Sequence, residues 1–479
     1  MKKLASIVLT VVLAISCNFL ERDPYTSIAF NNVYKTEKDM NLAANGLYGV
    51  LQSFYQTYYP EYSELPSDNL NCGNGSSDTG GQFDFFTLTP TNSFLSNAWN
   101  SSYHIIHQCN LVLKYNPGID YSSDSLKNRI EGEARFVRGL TYFNLVRMFG
   151  DIPIVDHIQT QAEARAARRD PAADVYELII SDLSTAVSLL PASYSGDNIG
   201  RATKYAAETL LAKVYLTIHE YDDVLPLLED VISSKKYQLL PNYGDIFLPE
   251  NAGNKEMIFE IQFEGGNLGE GSRWGFRAHP RAIAGAMGIS ASDASIPSKS
   301  IMNALGTGNP RADASYGAMT YSGTTRNHLK KHYMEHGVQN SSDDNWPLLR
   351  YADVLLMYAE AHNETVDTPD SLDIDYINQI RRRAYGLNKT DTSKDVNNLE
   401  KMDKVAFRNT IWKERRLELA FEGHRWFDLV RTGEYVTVMN EHALDEGKQI
   451  TVHDWNNLYP VPQAQIDINP NLLPNNPGY

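Results

Sequence analysis

Apolar residues recur along most of the chain at the three- and four-residue spacing that places them on one face of a helix. The helical stretch at 203–219 shows this period clearly, since one apolar stripe contains Ala207, Leu210, Leu211, Val214, Tyr215 and Ile218. Helical stretches come in neighbouring pairs, and small residues alternate with aromatic ones along them, as close antiparallel packing requires. The pattern predicts four helix pairs: residues 40–55 with 94–115, 126–149 with 172–190, 203–219 with 221–235, and 348–363 with 372–385.

Two long segments between the helix pairs lack this period and are rich in glycine, aromatic and polar residues. They span residues 58–92 and 263–331, and the second follows an apolar run, 255–263, that predicts a strand. Loops of this length without regular structure of their own usually carry function. We therefore predict an all-α fold: a tetratricopeptide-like helix-pair scaffold of about four pairs carrying a long irregular insertion lobe with minor strands. No linker divides the chain, so we expect one compact unit with two lobes.

The N-terminus has the features of an export signal. Lys2 and Lys3 precede an apolar run at 4–15, which is shorter than the about 20 residues of a membrane-spanning helix. The run ends in Ala-Ile-Ser-Cys, which is similar to a bacterial lipobox. We predict that residues 1–16 are a lipoprotein signal peptide and that Cys17 is lipidated, so the body is anchored to a membrane without spanning it. The alternative is an ordinary secretory signal with a nearby cysteine.

Composition narrows the range of partners. The chain has 479 residues, a formal net charge of −16 and a pI near 5.2, which disfavours nucleic acid because phosphate binding needs a basic face. Aromatic residues make up 11 % of the chain and include 28 Tyr, which favours flat amphipathic contact surfaces for sugars or peptides. Cys72 and Cys109 either pair in an oxidising compartment or stay as buried thiols, and the sequence leaves both states open.

Motifs for catalysis or cofactor binding are missing. The sequence holds no HExxH motif, serine-nucleophile elbow, Walker lysine loop or dinucleotide-binding glycine pattern. An acidic cluster lacks the glycine and the final glutamate of a calcium-binding loop, and we interpret it as a solvated cap ahead of a helix: Asp367, Asp370, Asp373 and Asp375. We predict no catalytic residue, no cofactor and no metal.

Residues 411–431 are the strongest candidate for hidden chemistry. Glu418 and Glu422 lie one helical turn apart, as do His424 and Asp428, and this spacing suits a metal or an acid–base pair. Four arginines of the same segment, however, supply partners for the carboxylates. We therefore predict one charged helix over 411–431, with an apolar face and intrahelical ion pairs on the other side.

Four separated stretches resemble one family in their order and combination. They are FLE at 19–21 followed by Pro24, GEARFVRGLTYFNLVRMFGDIP at 132–153, LRYADVLLMYAEA at 349–361, and ERRLELAFEGHRWFDL at 414–429, and the closing LYPVP at 458–462 agrees with them. This combination resembles the SusD-like (RagB/SusD) family of outer-membrane nutrient-binding lipoproteins. The resemblance covers a SusD-like body at 17–479, with an N-terminal region at about 17–240 and a C-terminal RagB/SusD region at about 250–479. Asn309-Pro310-Arg311 departs from the Asp-x-Arg that the family often has.

The resemblance implies a function as well as a fold. A family member is expected on the outer leaflet of the outer membrane, facing the cell exterior. It binds oligosaccharides or polysaccharide fragments without cleaving them and delivers them, as a hinged lid, to a SusC-like TonB-dependent transporter. The same lid role for peptides is the alternative, and a surface glycoside hydrolase and a purely helical assembly scaffold are two further hypotheses.

Ligand contacts are expected in the insertions, because a sugar face suits an aromatic platform with a polar rim. The first insertion and its approach offer Tyr55, Tyr58, Tyr59, Asp68, Asn69 and Asn71. The second offers Arg273, Trp274, Arg277 and Tyr321. The alternative for each of these residues is ordinary anchoring of a loop. The family motifs themselves are predicted to be structural, with Trp99, Phe143 and Trp426 in the core and Arg135 and Arg138 in ion pairs.

Overall fold

The computed structural model describes residues 33–56, 58–266, 268–281, 291–321, 323–331, 341–388, 390–395 and 402–479. The predicted signal peptide at 1–16 and Cys17 lie outside the described residues. Within the described ranges, no helix combines the length and the apolar character that crossing a membrane demands.

Helices dominate the described structure, and strands form small two-stranded sheets. The described α-helices are α1 Glu37–Tyr55, α2 Tyr59–Ser63, α3 Gly81–Asp84, α4 Ser93–Tyr115, α5 Asp124–Phe149, α6 Gln161–Ala166, α7 Ala172–Leu189, α8 Lys204–Thr217, α9 Tyr221–Ser233, α10 Trp274–Ala278, α11 Lys299–Leu305, α12 Pro310–Ser315, α13 Tyr351–Thr365, α14 Ser371–Ala384, α15 Lys404–Glu418, α16 Arg425–Arg431, α17 Tyr435–Glu446 and α18 Gln463–Ile468. The described strands are β1 Leu70–Asn71, β2 Met257–Ile261, β3 Ile296–Pro297, β4 Tyr316–Tyr321, β5 Thr324–Leu329 and β6 Trp346–Arg350. The predicted all-α class with minor strands is confirmed.

The four predicted helix pairs form the scaffold. α1 packs against α4, α5 against α7, α8 against α9, and α13 against α14. Two glycines allow the close approach of α5 to α7, since a Cβ on Gly132 would lie 2.8 Å from Leu190 and one on Gly139 would lie 3.0 Å from Leu183. The glycines of the family motif therefore serve helix packing.

The strands connect segments that are distant in sequence. The predicted strand at 255–263 is β2, which pairs antiparallel with β6. β4 and β5 form a hairpin, and β1 pairs antiparallel with β3, with Leu70 opposite Pro297 and Asn71 opposite Ile296. Because β1 belongs to the first insertion and β3 to the second, this last sheet joins the two insertions.

The predicted structural roles of the family motifs are confirmed. The aromatic side chains expected in the core are all buried: Trp99, Phe143 and Trp426. Arg135 pairs with Glu131 at 3.0 Å, and Arg138 pairs with Asp182 on α7 at 2.7 Å. Arg135 also lies 3.0 Å from Asp182, so both arginines hold α5 to α7.

The open question about the cysteines is answered by their surroundings. Cys72 and Cys109 are both buried free thiols, and burial raises the pKa of Cys72 to about 12. The prediction of a solvated acidic cap holds for Asp370, whose carboxylate accepts from the backbone N–H of Leu372 at 2.8 Å and of Asp373 at 2.9 Å. It is wrong for Asp373, which is buried within α14 and lies 2.7 Å from His362.

The prediction of one continuous helix over 411–431 is wrong. α15 ends at Glu418, and α16 begins at Arg425. Phe421 and Gly423 between them adopt left-handed backbone, with φ of 69° and 83°. The apolar period continues across this break, so the local pattern does not reveal the turn.

The ion pairs of this segment are also mostly not intrahelical. The Glu422 carboxylate lies 2.6 Å from Arg350 and 2.6 Å from Lys331, which come from other parts of the chain. Asp428 does pair inside the segment, at 2.8 Å from Arg415. The cause is the tertiary structure. The turn directs the carboxylates into the protein interior, where they pair with basic side chains from other parts of the chain.

Candidate functional site

The two insertions predicted to carry ligand contacts lie side by side. Beyond the β1–β3 pairing, the Gly73 N–H donates to the Asp293 carbonyl at 2.9 Å, and the Arg273 N–H donates to the Gln56 carbonyl at 3.0 Å. Residues 58–92, 268–281 and 291–298 thus form one continuous region, which we call the insertion face.

Tyr58 provides an aromatic platform on this face. Its ring is half-buried and stacks on Phe94, with the ring centroids 4.1 Å apart. The guanidinium carbon of Arg277 lies 5.4 Å from the Tyr58 ring centroid and 5.3 Å from that of Phe94. Phe94 and Arg277 therefore set the orientation of the Tyr58 ring.

Arg277 is held beneath the platform by an acidic partner. Its Nε donates to the carboxylate of Glu61, which is fully buried. Burial raises the pKa of Glu61 to about 7, against the opposing effect of the Arg277 charge. This pair joins α2 of the first insertion to α10 of the second.

Polar groups of the glycine-rich turn at 73–81 lie near this pair. The Asp78 carboxylate accepts from the Gly80 N–H at 2.9 Å and from the Asn74 amide at 3.4 Å. A Cβ on Gly81 would overlap the carbonyl of Gly75, so the turn needs glycine at this point. Asp78 and Asn74 are not among the residues predicted from the sequence, although an aspartate two residues before a glycine pair is a recognisable turn signal.

Three of the predicted aromatic contacts form the floor of the insertion face. Tyr55, Tyr59 and Trp274 are only 1 %, 2 % and 1 % exposed. The Tyr55 hydroxyl accepts from the Asn144 amide at 2.8 Å, and the rings of Tyr59 and Trp274 both pack edge-on against Trp346. In this arrangement they support the face from inside the core.

The predicted polar contacts of the first insertion bind C-terminal helices. Asp68 pairs with Arg425 at 2.7 Å and with Arg416 at 3.0 Å, and these arginines lower the pKa of Asp68 to about 2 although burial opposes this. Asn69 accepts from Arg416 at 3.1 Å, and Asn71 accepts from Lys448 at 2.7 Å. These three side chains anchor the insertion to the α15–α17 region.

The remaining predicted residues lie at the edges of the second insertion. Arg273 is exposed directly before α10, beside the half-buried Phe276. Tyr321 ends β4 opposite Thr324, and its side chain lies outside the described part. Of the ten predicted ligand residues, Tyr58, Asn71 and Arg273 thus combine a place on the insertion face with a described side chain that is not buried. Asn71 already accepts from Lys448, so Tyr58 and Arg273 are the two that remain for a ligand.

Comparison with known proteins identifies the class to which this fold and site belong. Residues 18–216 match a family model described as "Starch-binding associating with outer membrane", and residues 259–479 match the model of the SusD family. The chain is 30 % identical to SusD-like protein P2 of Formosa agariphila, over 100 % of this chain and 99 % of that protein. The chain therefore belongs to the SusD-like family, as the sequence motifs predict.

Solved structures show the same fold. A SusD homolog from Bacteroides thetaiotaomicron matches with a TM-score of 0.82 and 25 % identity, covering 94 % of this chain and 98 % of that one. A laminarin-binding SusD-like protein matches with a TM-score of 0.78 and 26 % identity, covering 93 % and 100 %.

Proposed function

We propose that this protein is a cell-surface lipoprotein that binds oligosaccharides or polysaccharide fragments at the insertion face. The observation that carries the proposal is the meeting of the two insertions around the Tyr58 platform. Membership of the SusD-like family supports it, as does the similarity to a laminarin-binding SusD-like protein. A sugar ring stacks its C–H face on Tyr58, while Arg273 and Asn74 bind hydroxyl groups at the rim.

The protein captures its ligand without cleaving it and passes it to a transporter. We propose lipidation of Cys17, attachment to the outer membrane with the body facing the exterior, and delivery to a SusC-like TonB-dependent partner as a hinged lid. The description of the matching family model, which names the outer membrane, supports the location.

A glycan array combined with a peptide pool tests the ligand class, using the full chain in detergent. We expect binding to one glycan class that weakens about tenfold or more in Tyr58→Ala, because this change removes the aromatic surface on which the sugar ring packs. Arg273→Ala should weaken the same binding. Tyr385→Ala and Arg165→Ala are matched controls, because both residues lie outside the insertion face. Tyr385 follows the end of α14, and Arg165 is on α6.

Two results would contradict the proposal. Capture of peptides alone, lost in Tyr58→Ala, would assign the same lid role to peptides. Release of reducing ends from a polysaccharide by the purified protein would identify it as a hydrolase.

A further inference from the structure

A second concave region lies on the helix scaffold, outside the insertion face. A cavity of about 500 Å³ opens between the α7–α8 connection, the residues after α9, and β2. Its volume is in the range of small-ligand sites. The lining residues that matter here are Tyr194, Arg201, Lys236, Tyr237, Lys255 and Glu260.

A neighbouring cavity of about 330 Å³ extends this region toward α1. Both cavities share the contact between Gly200 and Gln262. Gly200 has a φ of +95°, and a Cβ there would overlap the Gln262 amide, so only glycine lets the connection lie this close to the end of β2. We call the two cavities together the scaffold groove.

Two tyrosines give the larger cavity aromatic walls. Both are half-buried, so each ring is partly accessible. The Tyr194 hydroxyl donates to the Ala202 carbonyl at 3.1 Å, and the Tyr237 ring packs edge-on against Tyr205 with centroids 6.0 Å apart. These contacts hold the rings in place before any ligand arrives, which reduces the entropic cost of binding.

The charge available in the larger cavity is positive. The Glu260 carboxylate is buried and already accepts from the Gly253 N–H at 2.9 Å and from the Asn345 amide at 3.0 Å. Lys236 and Lys255 are exposed at the mouth, and neither forms an ion pair within the described ranges. In a protein with a net charge of −16, two ammonium groups beside aromatic walls are a distinct local feature. The Lys236 ammonium also donates to the Ser193 hydroxyl at 3.3 Å, a neutral partner that leaves its charge available.

We propose that the scaffold groove is a second saccharide site and that it selects sugars bearing carboxylate or sulfate groups. The sugar ring packs on Tyr237, and its anionic group accepts charge-assisted hydrogen bonds from Lys236 and Lys255. Besides the buried Glu260, the acidic residues that line the groove are Asp197 and Glu270, and both belong to the smaller cavity near α1. The anionic group therefore lies at the Lys236 end. This site does not depend on ligand binding at the insertion face.

Calorimetry with the full chain in detergent tests this site. The probes are oligogalacturonate as the carboxylate sugar, a sulfated galactan oligosaccharide, and laminarihexaose as the neutral sugar. We expect at least one anionic probe to bind, and its affinity to fall about tenfold in Lys255→Gln and in Tyr237→Ala. Raising the salt concentration should weaken the same binding.

Matched variants separate the two sites. Lys38→Gln removes an exposed ammonium from α1 outside the groove and should leave binding of the anionic probe unchanged. Tyr58→Ala should also leave it unchanged, so a failure of the insertion-face proposal is distinguishable from a failure of this one. Circular dichroism of each variant checks that the fold is retained.

Three results would overturn the proposal. The first is absence of binding by both anionic probes. The second is anionic binding that is lost in Tyr58→Ala and kept in Lys255→Gln, which would move the anionic sugar to the insertion face. The third is capture of peptides in place of sugars, lost in Lys255→Gln, which would make the groove a protein-docking surface.

Discussion

Arg350 lies wholly inside the protein, and three of its side-chain nitrogens have acceptors from distant segments. Its Nη1 lies 2.6 Å from Glu256, and its Nε lies 2.6 Å from Glu422. A buried charge without such partners costs several kcal/mol. Although burial opposes it, Arg350 with Lys331 lowers the pKa of Glu422 to about 2, so this carboxylate is a permanent ion-pair partner and not a proton donor at neutral pH. The carboxylates that suggest an acid–base site in the sequence are therefore structural.

His442 makes stability depend on pH. Burial, and then the nearby Lys448, lowers its pKa to about 4, from about 6.5 in an unfolded chain. The unfolded state therefore binds one more proton between these values, and this contribution to stability is complete above pH 6.5 and is lost as the pH falls toward 4. Between pH 7 and pH 5, we expect the free energy of unfolding to fall by about 2 kcal/mol less in His442→Gln than in the wild type. The glutamine amide can still donate to Asn71.

Urea unfolding at the two pH values measures this difference. His104→Gln is the control, because His104 is exposed on α4 and lies outside this cluster. Equal losses for the wild type and His442→Gln would contradict the prediction.

The turn between α15 and α16 shows how one element depends on another. Gly423 has a φ of +83°, and a Cβ there would lie 2.5 Å from the Tyr59 ring and 3.0 Å from the Ser63 hydroxyl. Its N–H donates to the Glu64 carboxylate at 2.9 Å. The family motif at 414–429 thus packs its turn directly against the helix below the Tyr58 platform.

Gly423→Ala should destabilise the protein by about 2–5 kcal/mol, because the new Cβ adds a steric clash to the cost of left-handed backbone. Gly433→Ala is a matched control: it has a similar φ of +75°, but no atom lies within 4 Å of its added Cβ. We expect it to cost only the backbone part, about 1–2 kcal/mol. Thermal and urea unfolding of both variants measures the difference, and equal destabilisation would show that the contact with Tyr59 carries no cost.

At the scale of the whole molecule, the proposed lipid anchor precedes the described fold in the chain. The described body carries no helix suited to crossing a membrane, and Cys17 precedes the first described residue. The proposed lipidation of Cys17 would place acyl chains ahead of the described body, and each buried methylene of such a chain contributes about 0.8 kcal/mol to membrane binding.

Cys17→Ala should abolish incorporation of a fatty-acid label and move the protein from the membrane fraction to the soluble fraction. Labelling followed by fractionation of the producing cells measures both changes. Cys72→Ala is the control, since this buried thiol should leave the label in place. A Cys17→Ala protein that keeps its label in the membrane fraction would rule out lipidation at this position.

Local patterns in the sequence determined the scaffold. The apolar period of each helix pair is a property of neighbouring residues, so the four pairs and the strand β2 are predictable without any knowledge of the tertiary structure. The motif stretches likewise identify the family, because the stretches and their order can be read directly from the sequence. The predicted ion pairs of Arg135 and Arg138 follow from the same local and neighbouring-helix spacing.

Tertiary structure decided which residues face outward and which segments meet. The sequence predicts Tyr59 and Trp274 in loops, but both rings pack against Trp346, far away in the sequence. Tyr55 is buried and accepts a hydrogen bond from Asn144 of α5. The sequence predicts Asp68 at the polar rim of a ligand site, but Arg425, 357 residues further along the chain, forms an ion pair with it. Such contacts depend on how distant segments pack, and no local period encodes them. The sequence therefore predicts that the insertions form the candidate site. Which of their side chains stay accessible on the insertion face, Tyr58 and Arg273 among them, is decided by tertiary packing.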